Sequence, residues 1–119
     1  MSNAADYALF ESLMAEAMRS RDPAGAIQQI CSDHRLPLPW RKALASADAD
    51  GIRLSAMLFA KLRFEMLMQG SAEAARCFER DPASFTGVFR RYHREVEPRA
   101  FFASDEGRIF EAWLENQAS

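Results

Sequence analysis

The chain is poor in the residues that furnish strands. Val, Ile and Thr together number seven in 119 residues, and no stretch alternates apolar and polar positions with β-branched or aromatic side chains. That pattern excludes a sheet of any size. One short extended piece near Arg99–Phe102 is the most that could be placed. Cysteine is equally scarce. Cys31 and Cys77 are too few for a disulfide framework in a chain of this length, and a reducing cytosol is the expected setting. No charged start followed by an apolar run reads as a signal peptide. The longest apolar-rich segment, Ile52 to Met68, is interrupted by Arg53, Lys61, Arg63 and Glu65, which excludes a bilayer span. There is no phosphate-cradling Gly-rich loop, no dinucleotide fingerprint and no His-Glu-x-x-His. The net charge of −2 gives no global pull toward nucleic acid or an anionic membrane.

What is present is helical punctuation and helical spacing. The chain has 49% hydrophobic and 11% aromatic residues, and its length argues for one domain over residues 1–119. A chain of this mass can bury about two thirds of its surface without staples. Met1–Ala4 has the form of a tag remnant and carries no weight. A first helix over Ala4–Ser20 carries the stripe Leu9, Phe10, Leu13, Met14 and Ala17. Asp22-Pro23 caps a second, whose buried side is Ile27, Ile30 and Cys31. Leu36-Pro-Leu-Pro-Trp40 cannot be helix interior. It reads as a connector with its leucines in the core, and Pro39 opens a short third helix through Trp40 and Leu44. Asp48–Gly51 forms a turn or a cap.

The fourth helix, at about residues 50–69, is the longest. Ile52, Ser55, Ala56, Phe59, Leu62 and Met66 follow its period, and Leu54, Met57, Leu58 and Phe64 spread apolar character to other faces. Such a helix is expected at the centre, with Gly70 as a left-handed stop. Ser71 caps a fifth helix with Ala74, Cys77 and Phe78 inward. Asp81-Pro82 caps a sixth with Phe85, Val88, Phe89 and Tyr92 inward, and Pro98 closes that section. Ser104 caps the last, with Asp105 and Glu106 favourable to its dipole and Ile109, Phe110, Trp113 and Leu114 buried. The expected fold is therefore all-α, a single-domain bundle of six or seven helices around the fourth.

The chemistry-bearing residues are few. Cys31-x-x-His34 has half the spacing of a zinc site, and Cys77 and His93 could complete it, but that second pair is sixteen residues apart. The competing reading is a buried thiol and an ordinary surface histidine. Cys31 and His34 also lie one helical turn apart, as a thiol and its base would, yet nothing beside them resembles an oxyanion hole. Glu95 and Glu97 fall in a charged segment and read as solvated surface. No residue is therefore assigned to catalysis, to a metal or to a cofactor. Met14, Met57, Met66 and Met68 lie on apolar faces and read as core filling.

The sharpest polar feature is Arg90-Arg-Tyr-His-Arg94, with Arg99 beyond. Arg90 and Arg94 share a helix face, with Arg91 beside them. Three readings fit: a solvated face paired locally with Glu95 and Glu97, a surface for an acidic protein or peptide, or a phosphate-binding face on a regulatory nucleic-acid module. Phe101-Phe102, Trp40 and Trp113 add apolar surface that a partner could cover.

Phe78-Glu-Arg-Asp-Pro-Ala-Ser-Phe85, Phe89-Arg-Arg-Tyr-His93, Pro98-x-x-Phe101-Phe102 and Ile109-Phe-x-x-Trp113-Leu114 together resemble the small partner subunits of multinuclear iron-dependent peptide-modifying oxidases. Those systems, of the methanobactin and 3-thiaglutamate type, modify cysteines of ribosomally made precursor peptides. The resemblance spans residues 52–114. It implies a non-catalytic, cytoplasmic accessory subunit that binds the precursor peptide, the oxidase or both, with the iron held by the partner. Arg90, Arg91, Arg94, Arg99, Phe101 and Phe102 are then the expected contact residues. Peptide-recognition modules of such pathways often offer a strand edge, so helices would have to form the groove here.

Overall fold

The computed structural model describes residues 4–117, and the tag-like residues 1–3 lie outside them. Among the described residues the fold is all-α, with seven helices and no strand: α1 (Ala4–Met18), α2 (Pro23–Ile30), α3 (Leu38–Ala45), α4 (Ala49–Gly70), α5 (Ala72–Arg80), α6 (Pro82–Glu95) and α7 (Ala103–Gln117). The segment Arg99–Phe102 is irregular rather than extended into a strand. None of the helices is long and apolar enough to cross a membrane.

The helices start where side-chain oxygens can take up free amides. Asp22 Oδ1 accepts from Gly25 N at 3.1 Å, and Asp48 Oδ2 from Gly51 N at 2.8 Å. Ser71 Oγ accepts from Ala74 N at 3.1 Å, and Asp81 Oδ1 from Ser84 N at 3.2 Å. Two boundaries differ from expectation. Helix α7 begins at Ala103, so Ser104 lies inside it, and the Phe102 carbonyl accepts from Asp105 and Glu106. Gly70 is not a left-handed cap, since no glycine has positive φ. Glycine is needed there because a Cβ would lie 1.7 Å from the Ala103 carbonyl oxygen, and Gly107 likewise abuts the Gly70 carbonyl oxygen. The end of α4 and the start of α7 pack backbone on backbone.

The contacts gather into two compact units, one up to Phe59 and one from Ala60. In the first, Ala17, Ala24, Ile27, Ile30, Leu36 and Ile52 form the core, flanked by Leu9, Phe10, Leu13, Met14 and Trp40. Of the two connector leucines only Leu36 is buried; Leu38 is half exposed because it opens α3. Arg41 Nε donates to the Leu36 carbonyl at 3.2 Å, which satisfies that buried turn. In the second unit the core is aromatic: Phe85, Phe89, Tyr92 and Phe110 with Leu67 and Ala74. Phe64 meets Phe78 and Phe89 edge-on, both at 5.2 Å between centroids.

The buried line of α4 runs through Ile52, Ala56, Arg63 and Leu67. Ser55 and Leu62, placed on that line from spacing, are exposed, as are Leu54, Met57 and Leu58. In the second half of the helix the inward position falls on Arg63 rather than on Leu62. Met57, 60% exposed, fills no core gap.

Candidate functional site

The second unit carries both the expected contact residues and a polar cluster that spacing did not reveal. Helix α6 turns Phe85, Phe89, Tyr92 and His93 inward. The opposite face is then Ala83, Gly87, Arg90 and Arg94, all exposed. Nothing lies within 4 Å of where a Gly87 Cβ would stand, so this face is open.

The arginines divide by what they touch. Arg91 is engaged within the chain: it pairs with Glu95 at 3.3 Å, donates to Gln117 Oε1, and places its guanidinium 5.3 Å from the Trp113 ring. Trp113 Nε1 in turn donates to Glu95 Oε1 at 3.2 Å. Arg99 lies 3.8 Å from Glu97, with both side chains exposed. These pairs are the local neutralisation that a solvated face provides, and each is worth little in water. Arg90 and Arg94 are both exposed, on the face of α6 opposite its core residues.

The connector between α6 and α7 holds the apolar half of the expected surface. Phe101 is 91% and Phe102 69% exposed, with ring centroids 6.5 Å apart. Burying one such ring is worth about 1.5–3 kcal/mol. The Phe102 carbonyl is fixed by the first turn of α7, which anchors the backbone while the side chain stays in solvent.

Beneath this surface lies a buried charge cluster. Arg63 and Glu106 are 4% and 2% exposed. Arg63 Nε donates to Glu106 Oε1 at 2.7 Å, and one terminal nitrogen donates to the Val96 carbonyl at 2.6 Å. The same nitrogen lies 3.3 Å from His93 Nδ1. Tyr92 Oη donates to Glu106 Oε2 at 2.6 Å, and the guanidinium carbon stands 4.4 Å from the Tyr92 ring centroid. Burial first, and the Glu106 hydrogen bond second, push the Tyr92 hydroxyl well above its ordinary range. The cluster ties α4, α6, α7 and the Val96 carbonyl together. Breaking such a pair by removing one member costs about 3–5 kcal/mol, because the other charge stays buried.

His93 is therefore no surface histidine: it is 7% exposed and stacks on Phe89 at 5.7 Å. Cys31 and Cys77 are half-buried rather than buried thiols, and Cys31 Sγ lies 3.4 Å from the Ile27 carbonyl. Among the described residues no three His, Cys, Asp or Glu side chains gather as metal ligands. Near Cys31, the Asp33 carboxyl is drawn down to about 2 by its hydrogen bonds from the Arg35 side chain and backbone.

Sequence reasoning missed Arg63, Glu106 and the Tyr92 hydroxyl. The available signal was Arg63 itself, a cation at a position where the α4 period calls for an apolar residue. No family model matches the chain, and no curated protein and no solved structure matches it.

Proposed function

We propose that this chain is a non-catalytic recognition subunit that binds a partner protein or peptide through the α6 outer face and the α6–α7 connector. The observation that carries this reading is the Phe101–Phe102 pair, two large aromatic side chains held in solvent on an anchored backbone. Aromatic and arginine side chains are the commonest anchors of protein interfaces, and exposed cations outside them select acidic partners. Arg90, Arg94 and Arg99 are exposed cations of this surface, and Arg91 supports it from its contacts with Glu95 and Trp113. On the resemblance over residues 52–114, the proposed partner is an iron-dependent peptide-modifying oxidase and its precursor peptide, with redox chemistry on the oxidase.

Co-purification with an oxidase encoded beside this chain, and titration with its precursor peptide, test the proposal. Phe101→Ser with Phe102→Ser should abolish capture, and Arg90→Glu with Arg94→Glu should weaken it at least about tenfold. All four residues are exposed, and an unchanged circular dichroism spectrum verifies that each variant is folded. Absence of binding by the unaltered protein at high micromolar concentration overturns the reading. Steep log-linear loss of duplex binding with salt would instead favour a nucleic-acid module on the same arginines.

A further inference from the structure

The first unit carries an open aromatic groove that the proposed partner-binding surface does not use. Tyr7 and Phe10 of α1 and Pro39, Trp40, Ala43 and Leu44 of α3 line it, over a volume of about 370 Å³. These side chains are within a ligand's reach: Tyr7 is 57% exposed, Pro39 and Ala43 are exposed, and Phe10, Trp40 and Leu44 are half-buried. The Tyr7 and Trp40 rings lie 5.1 Å apart at 44°, and those of Phe10 and Trp40 5.4 Å apart at 73°. The three rings thus form one continuous apolar wall.

The polar atoms of the lining choose the occupant. Neither Trp40 Nε1 nor Tyr7 Oη forms a hydrogen bond among the described residues, and Trp40 Nε1 is not sealed from solvent. An indole N–H only donates, and a phenol O–H donates readily. No lining side chain is charged, and none carries a carbonyl or carboxylate. The partial charges of the groove therefore complement a chain rich in free carbonyls and poor in N–H groups. A docked helix does not meet that description, because it spends its carbonyls on its own hydrogen bonds. A polyproline II segment does. Its backbone forms no internal hydrogen bonds, and its prolines have no N–H. Aromatic-lined grooves take such segments because the preformed helix has little entropy left to lose. We propose that the α1–α3 groove binds a proline-rich segment of a partner protein in the polyproline II conformation. Its pyrrolidine rings lie against Tyr7, Phe10 and Trp40, and its carbonyls accept from Trp40 Nε1 and Tyr7 Oη. The groove lies wholly within the first unit, so the inference does not rest on the α6 surface.

The probe is a proline decamer with acetyl and amide ends, uncharged and without N–H groups between its residues. Polyproline II repeats every three residues, so the decamer presents the same face in every register. In proton–nitrogen correlation spectra the two tryptophans give two indole signals, assigned with Trp40→Phe. The decamer should move the Trp40 signal saturably at high micromolar to millimolar concentration. The Trp113 indole, already bonded to Glu95 in the second unit, should stay in place. Tyr7→Phe removes only a hydroxyl at an exposed position and should weaken binding about three- to tenfold. Tyr7→Ala also removes part of the wall and should weaken it further. Retained dispersion of the amide signals verifies that each variant is folded. The proposal is overturned if the decamer leaves the Trp40 indole unmoved or moves that of Trp113 equally. It is overturned too if either Tyr7 variant binds as tightly as the wild type, or if an amphipathic helical peptide moves the Trp40 indole at lower concentration than the decamer.

Discussion

At the residue scale the Tyr92 hydroxyl joins the aromatic core to the buried ion pair. It donates to a carboxylate that already accepts from Arg63, and the Tyr92 side chain is fully buried. Burial disfavours the phenolate, and the hydrogen bond to Glu106 needs the proton, which is why it is held more tightly than in the unfolded chain. The folded state thus binds more protons than the unfolded state once pH exceeds the ordinary tyrosine value of about 10. The stabilisation from Tyr92 is complete below that value and declines as pH rises above it. Tyr92→Phe should lose about 1.5–3 kcal/mol at neutral pH, because Glu106 forfeits a hydrogen bond. Denaturant unfolding at increasing alkaline pH should then show the gap between wild type and Tyr92→Phe closing. A gap that stays constant would mean that Tyr92 is not protonated preferentially in the fold. Little of this was legible in the sequence. Tyr92 was readable as inward-facing from the α6 period, but its partner is fourteen residues away, and Glu106 had a sufficient local explanation in the α7 dipole. A residue with one adequate local role gives no sign of a second, long-range one.

At the element scale the starts of helices were readable and some of their ends were not. Asp22, Ser71 and Asp81 cap through bonds that reach only three residues forward, so the whole device lies in a short stretch of sequence. Gly70 shows the opposite case. A glycine after a helical run fits a left-handed stop or a close backbone approach, and only the distant Ala103 carbonyl decides between them. The distinction has a direct consequence for substitution. Gly107→Ala would set a Cβ 2.1 Å from the Gly70 carbonyl oxygen, so α4 and α7 would have to part. That overpacking should cost about 1–3 kcal/mol beyond the gain in helix propensity of about 1 kcal/mol. Gly87→Ala meets no atom within 4 Å and should stabilise by about 0.5–1 kcal/mol. Thermal melts of the two variants should therefore shift in opposite directions. The same contrast clarifies the candidate surface: Gly87 leaves the α6 outer face low beside Arg90 and Arg94 without serving the core.

At the scale of the whole molecule the order of the helices was legible and their number to within one, six or seven, and the division of their contacts was not. Length and apolar content describe how much core a chain can form, not how many centres it forms around. Here α4 continues from one unit into the next, and each unit has its own buried set: Ile27, Ile30 and Leu36 in the first, Leu67, Phe89 and Phe110 in the second. Two cores of this kind are expected to open independently, each with its own free energy of local unfolding. Ile27 has no exposure at all, and Ile27→Ala should remove about 2–5 kcal/mol from the first unit. Amide hydrogen exchange should then accelerate in α1, α2 and α3, while the amides of α5, α6 and α7 keep their protection. Acceleration throughout the chain would instead show one cooperative unit. Independent opening matters for recognition, because the Arg90/Arg94 face and the Phe101–Phe102 connector both lie in the second unit. Capture of a partner should accordingly survive Ile27→Ala at temperatures where the first unit has already lost its protection.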